Sequence, residues 1–176
     1  MLSNRTLAII GCSLLAVFIY RSEQRMDEIE LKLDSIINTG ETVAYTKHDL
    51  DCLTKNIYYE AGVEPIEGKF AVANVTLNRL KTGYWGNTVC KVVYAKAQFS
   101  WTLKKKLPTP NPDLWEESQR VARNSLNGYR VSGLGKSLFY HANYITTPNW
   151  AEDRHYITQI GQHLFYKKAK NSWLSI

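Results

Sequence analysis

Tyr58-Tyr59-Glu60-Ala61-Gly62-Val63-Glu64-Pro65-Ile66-Glu67-Gly68 joins two strongly patterned helical stretches, and its reading decides the fold. The stretch before it places apolar residues at Leu50, Leu53 and Ile57, and Glu60 is the next residue on that face by i, i+3 spacing. Thr46 with Asp49 has the form of a capping box opening this helix. Gly62 permits a turn, and Glu64-Pro65 opens a second helix with proline at its first position. That helix carries Ile66, Phe70, Ala73, Leu77 and Leu80 on its core face and is closed by Gly83. Three carboxylates thus fall in one turn. Glu60 stands apart because it ends an apolar stripe, where burial disfavours the charged form and raises the pKa towards that of a general acid. A helix-end glutamate turned to solvent fits the same spacing.

Further along, a short helical stretch runs around Asn87 to Tyr94, and Pro112 starts a third long helix that Gly128 stops. After Gly135 the pattern changes. Ser137 to His141 is short and aromatic-rich, and His155 to Ile160, Gly161 and Gln162 to Lys167 read as a hairpin. Helices followed by strands predict an α+β fold, mainly helical, with a small antiparallel β-hairpin or sheet at the C-terminal end.

The N-terminal region has a different character. Leu7 to Tyr20 is an uncharged apolar run, shorter than the ~20 residues that span a bilayer comfortably. It is expected to act as a signal anchor or transmembrane segment over 1–21, with a cleaved signal as the second choice. Met26, Ile29, Leu33 and Ile36 form a short heptad seam that predicts a helical linker over 22–42, able to form a homodimer through residues 22–38. The globular domain is expected over 43–170.

The chain has 176 residues and a net charge of +6, which favours anionic partners. No nucleic-acid-binding module is present in the sequence, so no nucleic-acid partner is expected. The densest basic run, Lys104-Lys105-Lys106, precedes Pro108 and Pro110 and reads as a solvated loop. The aromatic share of 12% suits either sugar-stacking walls or an ordinary core. Among three cysteines, none has the spacing of a zinc site, so no metal or cofactor is expected. The odd count leaves one thiol over if the other two pair.

Four blocks resemble one family, the SleB-type cell-wall hydrolases related to spore-cortex-lytic enzymes. They are Asn56 through Pro65, the helix Gly68 through Leu80, the pair Asn87 to Tyr94 and Gln98-Phe99-Ser100-Trp101, and an ending that joins Phe139-Tyr140-His141-Ala142 and Trp150-Ala151 to Ile160 through Tyr166. Together they span roughly 50 to 167. Ala61-Gly62-Val63-Glu64 departs from the usual Ala-Arg-Gly-Glu arrangement. Leu103 stands where many relatives carry a cysteine, so their disulfide pattern does not transfer.

The resemblance implies a lysozyme-like lobe and cleavage of peptidoglycan glycan strands, with Glu60 as the catalytic acid and base of a lytic transglycosylase. It places Gln98, Phe99, Ser100, Tyr140, His141 and Trp150 at the substrate, with a satisfied loop turn as the alternative for Gln98, Phe99 and Ser100 and core packing for Tyr140, His141 and Trp150. Trp101 could stack on a sugar but suits the core, and His163 is expected to be structural. Glu64 is expected to cap the second helix and to bias Glu60 upward, and Glu67 to be solvated. The protein would then lie at the inner membrane and periplasm, as a phage endolysin or a bacterial envelope hydrolase. Competing functions are an N-acetylmuramoyl amidase, which would want a metal held by histidine and carboxylate, and a non-catalytic wall-binding protein. Export would permit a Cys52–Cys90 bond, which Cys12 could reshuffle on leaving the membrane; buried thiols are the simpler alternative.

Overall fold

The computed structural model describes residues 15–22, 24–25 and 37–169. The chain divides into two units, Met1–Ile37 and Asn38–Ile176. In the first, residues 15–22 are helical and exposed, and among the described residues no helix is long and apolar enough to cross a membrane. Cys12, the whole heptad seam Met26, Ile29, Leu33 and Ile36, and part of the apolar run lie outside the described residues. The linker expected to be helical over 22–42 ends in another conformation. Ile37–Thr39 is a strand, β1, and 40–46 is irregular chain. The Gly40 N–H donates to the Gly128 carbonyl and the Val43 N–H to the Leu126 carbonyl at 2.8 Å, so this segment belongs to the domain.

In the second unit, α1 (Lys47–Ala61) starts at the expected capping box. The Thr46 hydroxyl accepts from the Asp49 N–H, and the Thr46 N–H donates to the Asp49 carboxylate. Gly62 then begins the turn for a reason other than torsional freedom. Its φ is −57°, ordinary for any residue, but a Cβ there would lie 2.4 Å from the Tyr58 carbonyl oxygen. The second helix, α2 (Ile66–Thr82), has Pro65 as its N-cap, so it starts one position later than expected, and it closes at Gly83 with φ 71°. The run Gly68 to Leu77 is buried on every side, so α2 is the central helix. Around it pack α1 through Leu53 and Ile57, α3 (Val89–Val93), and α4 (Pro112–Leu126) through Val121, Ala122 and Leu126. Full burial of a side chain such as Leu53 contributes about 1.5–3 kcal/mol.

After α4 comes β2 (Tyr129–Val131), which pairs with β1. The remaining strands, β3 (Phe139–Ala142), β4 (Arg154–Ile160) and β5 (His163–Lys168), form an antiparallel sheet of order β3-β5-β4, with the short helix α5 (Asn149–Glu152) before β4. The architecture is α+β as expected. Sequence reading missed β2 and α5, each too short for a periodic signal.

Two groups of contacts hang the sheet on α2. The Asn78 side-chain amide donates to the Gly135 and Ser137 carbonyls at 2.9 Å each, and Arg79 Nε donates to the Leu138 carbonyl at 2.9 Å. At the other end, the buried Glu64 carboxylate accepts from the Gln162 N–H at 2.9 Å. Gly161, in the turn between β4 and β5, has φ 56°, and a Cβ there would lie 1.9 Å from the Glu64 carboxylate. Glu64 is therefore a clamp on the hairpin turn and not the expected cap of α2, whose N-cap has no side-chain hydrogen bond.

Cys52 and Cys90 form a disulfide with Cα atoms 5.2 Å apart, where two buried thiols were the simpler expectation. It ties the middle of α1 to α3 and closes a loop of sequence separation 38. Loop-closure entropy puts its contribution at about 3–4 kcal/mol. Reduction, or the double change Cys52→Ser and Cys90→Ser, is expected to lower the free energy of unfolding by about that much. Urea unfolding with and without reductant measures it, and unchanged midpoints would contradict the assignment.

Candidate active site

Glu60 lies in the last turn of α1, with Leu53 and Ile57 fully buried on the same face behind it. Its carboxylate is partly buried and opens into a cleft of about 770 Å³. Tyr59 and Arg79 share the cleft with it. One wall is the segment from Ala97 through Ser100 to Leu103, and the other is β3 with Tyr144, Ile145 and Trp150. Among the described residues, Glu60 is the only carboxylate that lines it.

The Tyr140 hydroxyl, on β3, donates to Glu60 Oε2 at 2.9 Å. Burial pushes the Glu60 carboxyl above its ordinary range, while the Tyr140 hydrogen bond and the positive charge of Arg79 pull it back. Burial raises the Tyr140 phenol as well, and the adjoining Glu60 carboxylate adds to the rise, so Tyr140 is a neutral donor. Glu64 makes no contribution at Glu60, against expectation, because its carboxylate is turned to the β4–β5 turn.

Arg79 is the residue that sequence reading missed. It is buried, with its guanidinium 5.3 Å from the Trp85 ring centroid and 5.2 Å from that of Phe99, and its Nη1 has no hydrogen-bond partner. In the sequence it reads as a cation in the last turn of a helix, which is its commonest setting. The available signal was the run Phe70-Ala71-Val72-Ala73 with Val75 and Leu77, which spreads apolar residues around α2 and points to enclosure of that helix.

The expected site residues come together. Gln98, Phe99, Ser100, Tyr140, His141 and Trp150 all line the cleft. Phe99 is 2% exposed and serves mainly as packing for Arg79, whereas Ser100 and Trp150 are exposed. Gln98 donates to the Lys96 carbonyl at 3.1 Å. It follows Ala97, whose φ of 59° is costly for a residue with a Cβ. His141 is buried with both ring nitrogens engaged, one at the Ala142 carbonyl and one 3.0 Å from the Tyr166 hydroxyl, so it holds the wall from behind. Trp101 is core. It donates from Nε1 to buried Asn56 at 3.1 Å, and Asn56 donates to Thr76, which fixes the Gln98–Ser100 wall to α1 and α2. His163, expected to be structural, is buried edge-on to Tyr140 with Nδ1 unpartnered and also lines the cleft, and burial pushes its pKa down while the Glu64 carboxylate opposes the shift.

Residues 63–166 match the cell wall hydrolase family. The chain belongs to that family. The matched span takes in both cleft walls and begins just after Glu60. Among individual cell wall hydrolases, the chain is 32% identical over 127 residues to a spore cortex-lytic enzyme of Oceanobacillus iheyensis, covering 70% of this chain and 43% of that protein. It is 30% identical over 122 residues to the spore cortex-lytic enzyme of Bacillus subtilis, covering 69% and 38%. The chain thus spans less than half the length of these relatives. Its fold is similar to that of the catalytic domain of the Bacillus cereus SleB protein, with TM-score 0.61 and 30% identity over 70% of this chain and 93% of that one. The catalytic domain of the germination-specific lytic transglycosylase SleB from Bacillus anthracis gives TM-score 0.58 and 29% identity over 70% and 98%.

A raised pKa at Glu60 has a stability consequence of definite sign. The folded state holds the proton more tightly than the unfolded state does. No cost arises below the unfolded pKa, and stability falls as pH rises through the folded pKa. Glu60→Gln is therefore expected to raise the melting temperature relative to the native chain at pH 7, with the gain disappearing near pH 4. An equal offset at both pH values, measured by thermal unfolding, would contradict the burial assigned to Glu60.

Proposed function

We propose that this chain cleaves the glycan strand of peptidoglycan by lytic transglycosylation, with Glu60 acting first as general acid and then as general base. The observation that carries this reading is the single carboxylate in the cleft. Glycosidases of the usual retaining or inverting kind need two carboxylates flanking the bond. One suffices when the nucleophile is the 6-hydroxyl of the muramyl residue itself. Glu60 protonates the glycosidic oxygen and the leaving sugar departs. The carboxylate then takes the proton of the 6-hydroxyl as that oxygen closes a 1,6-anhydro ring. The first step needs a protonated carboxyl near neutral pH, which burial supplies. The second needs a carboxylate that is not too costly to form, which the Tyr140 hydrogen bond and Arg79 supply. Similarity to the catalytic domain of a germination-specific lytic transglycosylase supports the same outcome.

Trp150 and Tyr144, both exposed on the sheet side of the cleft, offer rings for pyranose faces, and Gln98 and Ser100 offer polar groups on the opposite lip. Such a substrate lies outside the cytoplasm. The apolar run Leu7 to Tyr20 would direct the domain there and tether it, in the manner of a signal-anchored endolysin.

Glu60→Gln is expected to reduce solubilisation of purified sacculi by ~10²-fold or more while leaving the fold intact. Products of the native chain are expected to end in anhydromuramyl groups by mass spectrometry; reducing muramyl ends throughout would instead mean hydrolysis.

Removing the Tyr140 hydroxyl tests the tuning. That bond lowers the Glu60 pKa, so Tyr140→Phe leaves burial less opposed, with Arg79 still acting from α2. The alkaline limb of the kcat/KM profile is expected to move to higher pH. A limb that moves to lower pH would show that Tyr140 does not act through Glu60.

A further inference from the structure

Arg154 and Lys168 stand directly opposite each other in the β4–β5 ladder. Like charges in that arrangement repel and weaken the pair. Among the described residues neither forms an ion pair with a carboxylate. Arg154 Nε is buried with no hydrogen-bond partner, and the guanidinium is held 4.6 Å from the Phe139 ring centroid. A buried, charged donor without a partner is costly, and so is the juxtaposition of the two cations. One anion between them would relieve both.

The space for it exists. Arg154 and Lys168 line a side pocket of about 250 Å³ whose other walls include Tyr84 and Trp85. Arg79 lies behind Trp85 and adds a third positive charge to this region. The pocket shares Gln98, Phe139 and Arg154 with the cleft that holds Glu60, so it opens off the cleft and not off a remote surface. It is too small for a polymer strand but suits the end of a short substituent on one.

We propose that this side pocket binds a carboxylate of the peptide stem that the strand's lactyl groups carry, held between Arg154 and Lys168. The inference rests on the glycan-strand reading above and adds to it a determinant of which strands are taken. In a strand that carries its stems the lactyl carboxyl groups are tied up as amides and the backbone is uncharged, so the anion must come from a substituent. The aromatic walls suit the aliphatic and amide parts of a peptide better than a phosphodiester. Arg154 supplies a planar donor edge to the carboxylate and Lys168 a second charge.

The test uses the full chain carrying Glu60→Gln, which binds without turnover. It is titrated calorimetrically with tetrasaccharide strands in three forms: with stems, with stems whose carboxylates are amidated, and with stems removed and the lactyl carboxylates so exposed amidated. Strands with free carboxylates are expected to bind about tenfold tighter than the other two, as charge-assisted hydrogen bonds warrant. Adding Lys168→Gln or Arg154→Gln is expected to bring that ratio near one, and Lys168→Arg to restore it. Melting curves of each variant establish that it is folded. Equal affinities for the three probes, or a full ratio retained in Lys168→Gln, would overturn the proposal. So would tighter binding of stem-free strands carrying phosphodiesters. If the native chain cuts none of the three, the transglycosylase reading fails, whereas the subsite is judged from the affinity ratio alone.

Discussion

The hydrogen bond from Tyr140 to Glu60 crosses from the sheet to the helices, and it is the contact on which the rest of the site depends. Its acceptor is a carboxylate that burial tries to neutralise. Its donor is a phenol that burial keeps protonated. Each group makes the other's state cheaper, which is how two costly polar groups share one partly dry cleft. The bond forms only if the last turn of α1 and the middle of β3 arrive at the same place.

That meeting is arranged by α2. Helix α1 is packed on α2 through apolar side chains and through the Asn56–Thr76 hydrogen bond, while β3 is reached through Asn78 and Arg79 near the far end of the same helix. Glu64, just ahead of α2, fixes the turn between β4 and β5. Lys69, whose side chain is almost fully buried, pairs with Glu117 and fastens α4 on the opposite side. Apart from Arg79, none of these residues lines the cleft, yet together they fix the separation of its walls. Positioning groups of this kind are what precise acid–base geometry requires.

The helical half of the fold was readable because its signals are local. Thr46 and Asp49 sit within one turn, and the stripe Leu50, Leu53, Ile57, Glu60 is a pure spacing pattern. What could not be read depends on partners distant in the chain. Glu64 looks like a helix cap until Gln162, 98 residues away, is placed beside it. Trp101 offers no hint that its N–H belongs to Asn56, and Arg79 looks like a surface cation until Trp85 and Phe99 close on it. Gly62 is legible as a turn residue, but the steric approach of the Tyr58 carbonyl that excludes a Cβ there is not. The cleft residues Gln98, Ser100, Tyr140 and Trp150 were reached through the family resemblance, because no periodicity marks an irregular segment or a short strand.

The enclosure of α2 also bears on how chains of this kind can change length. Inserting or deleting one residue in a helix turns everything beyond it by ~100°. Within Phe70 to Leu77, such a change would swing Asn78 and Arg79 off the carbonyls they hold and release the sheet from the helices. The stretches 104–110 and 144–147 are irregular chain and largely exposed. Insertions during divergence should therefore accumulate on the rims of the cleft, where they alter its depth and reach, while the central helix keeps a constant residue count.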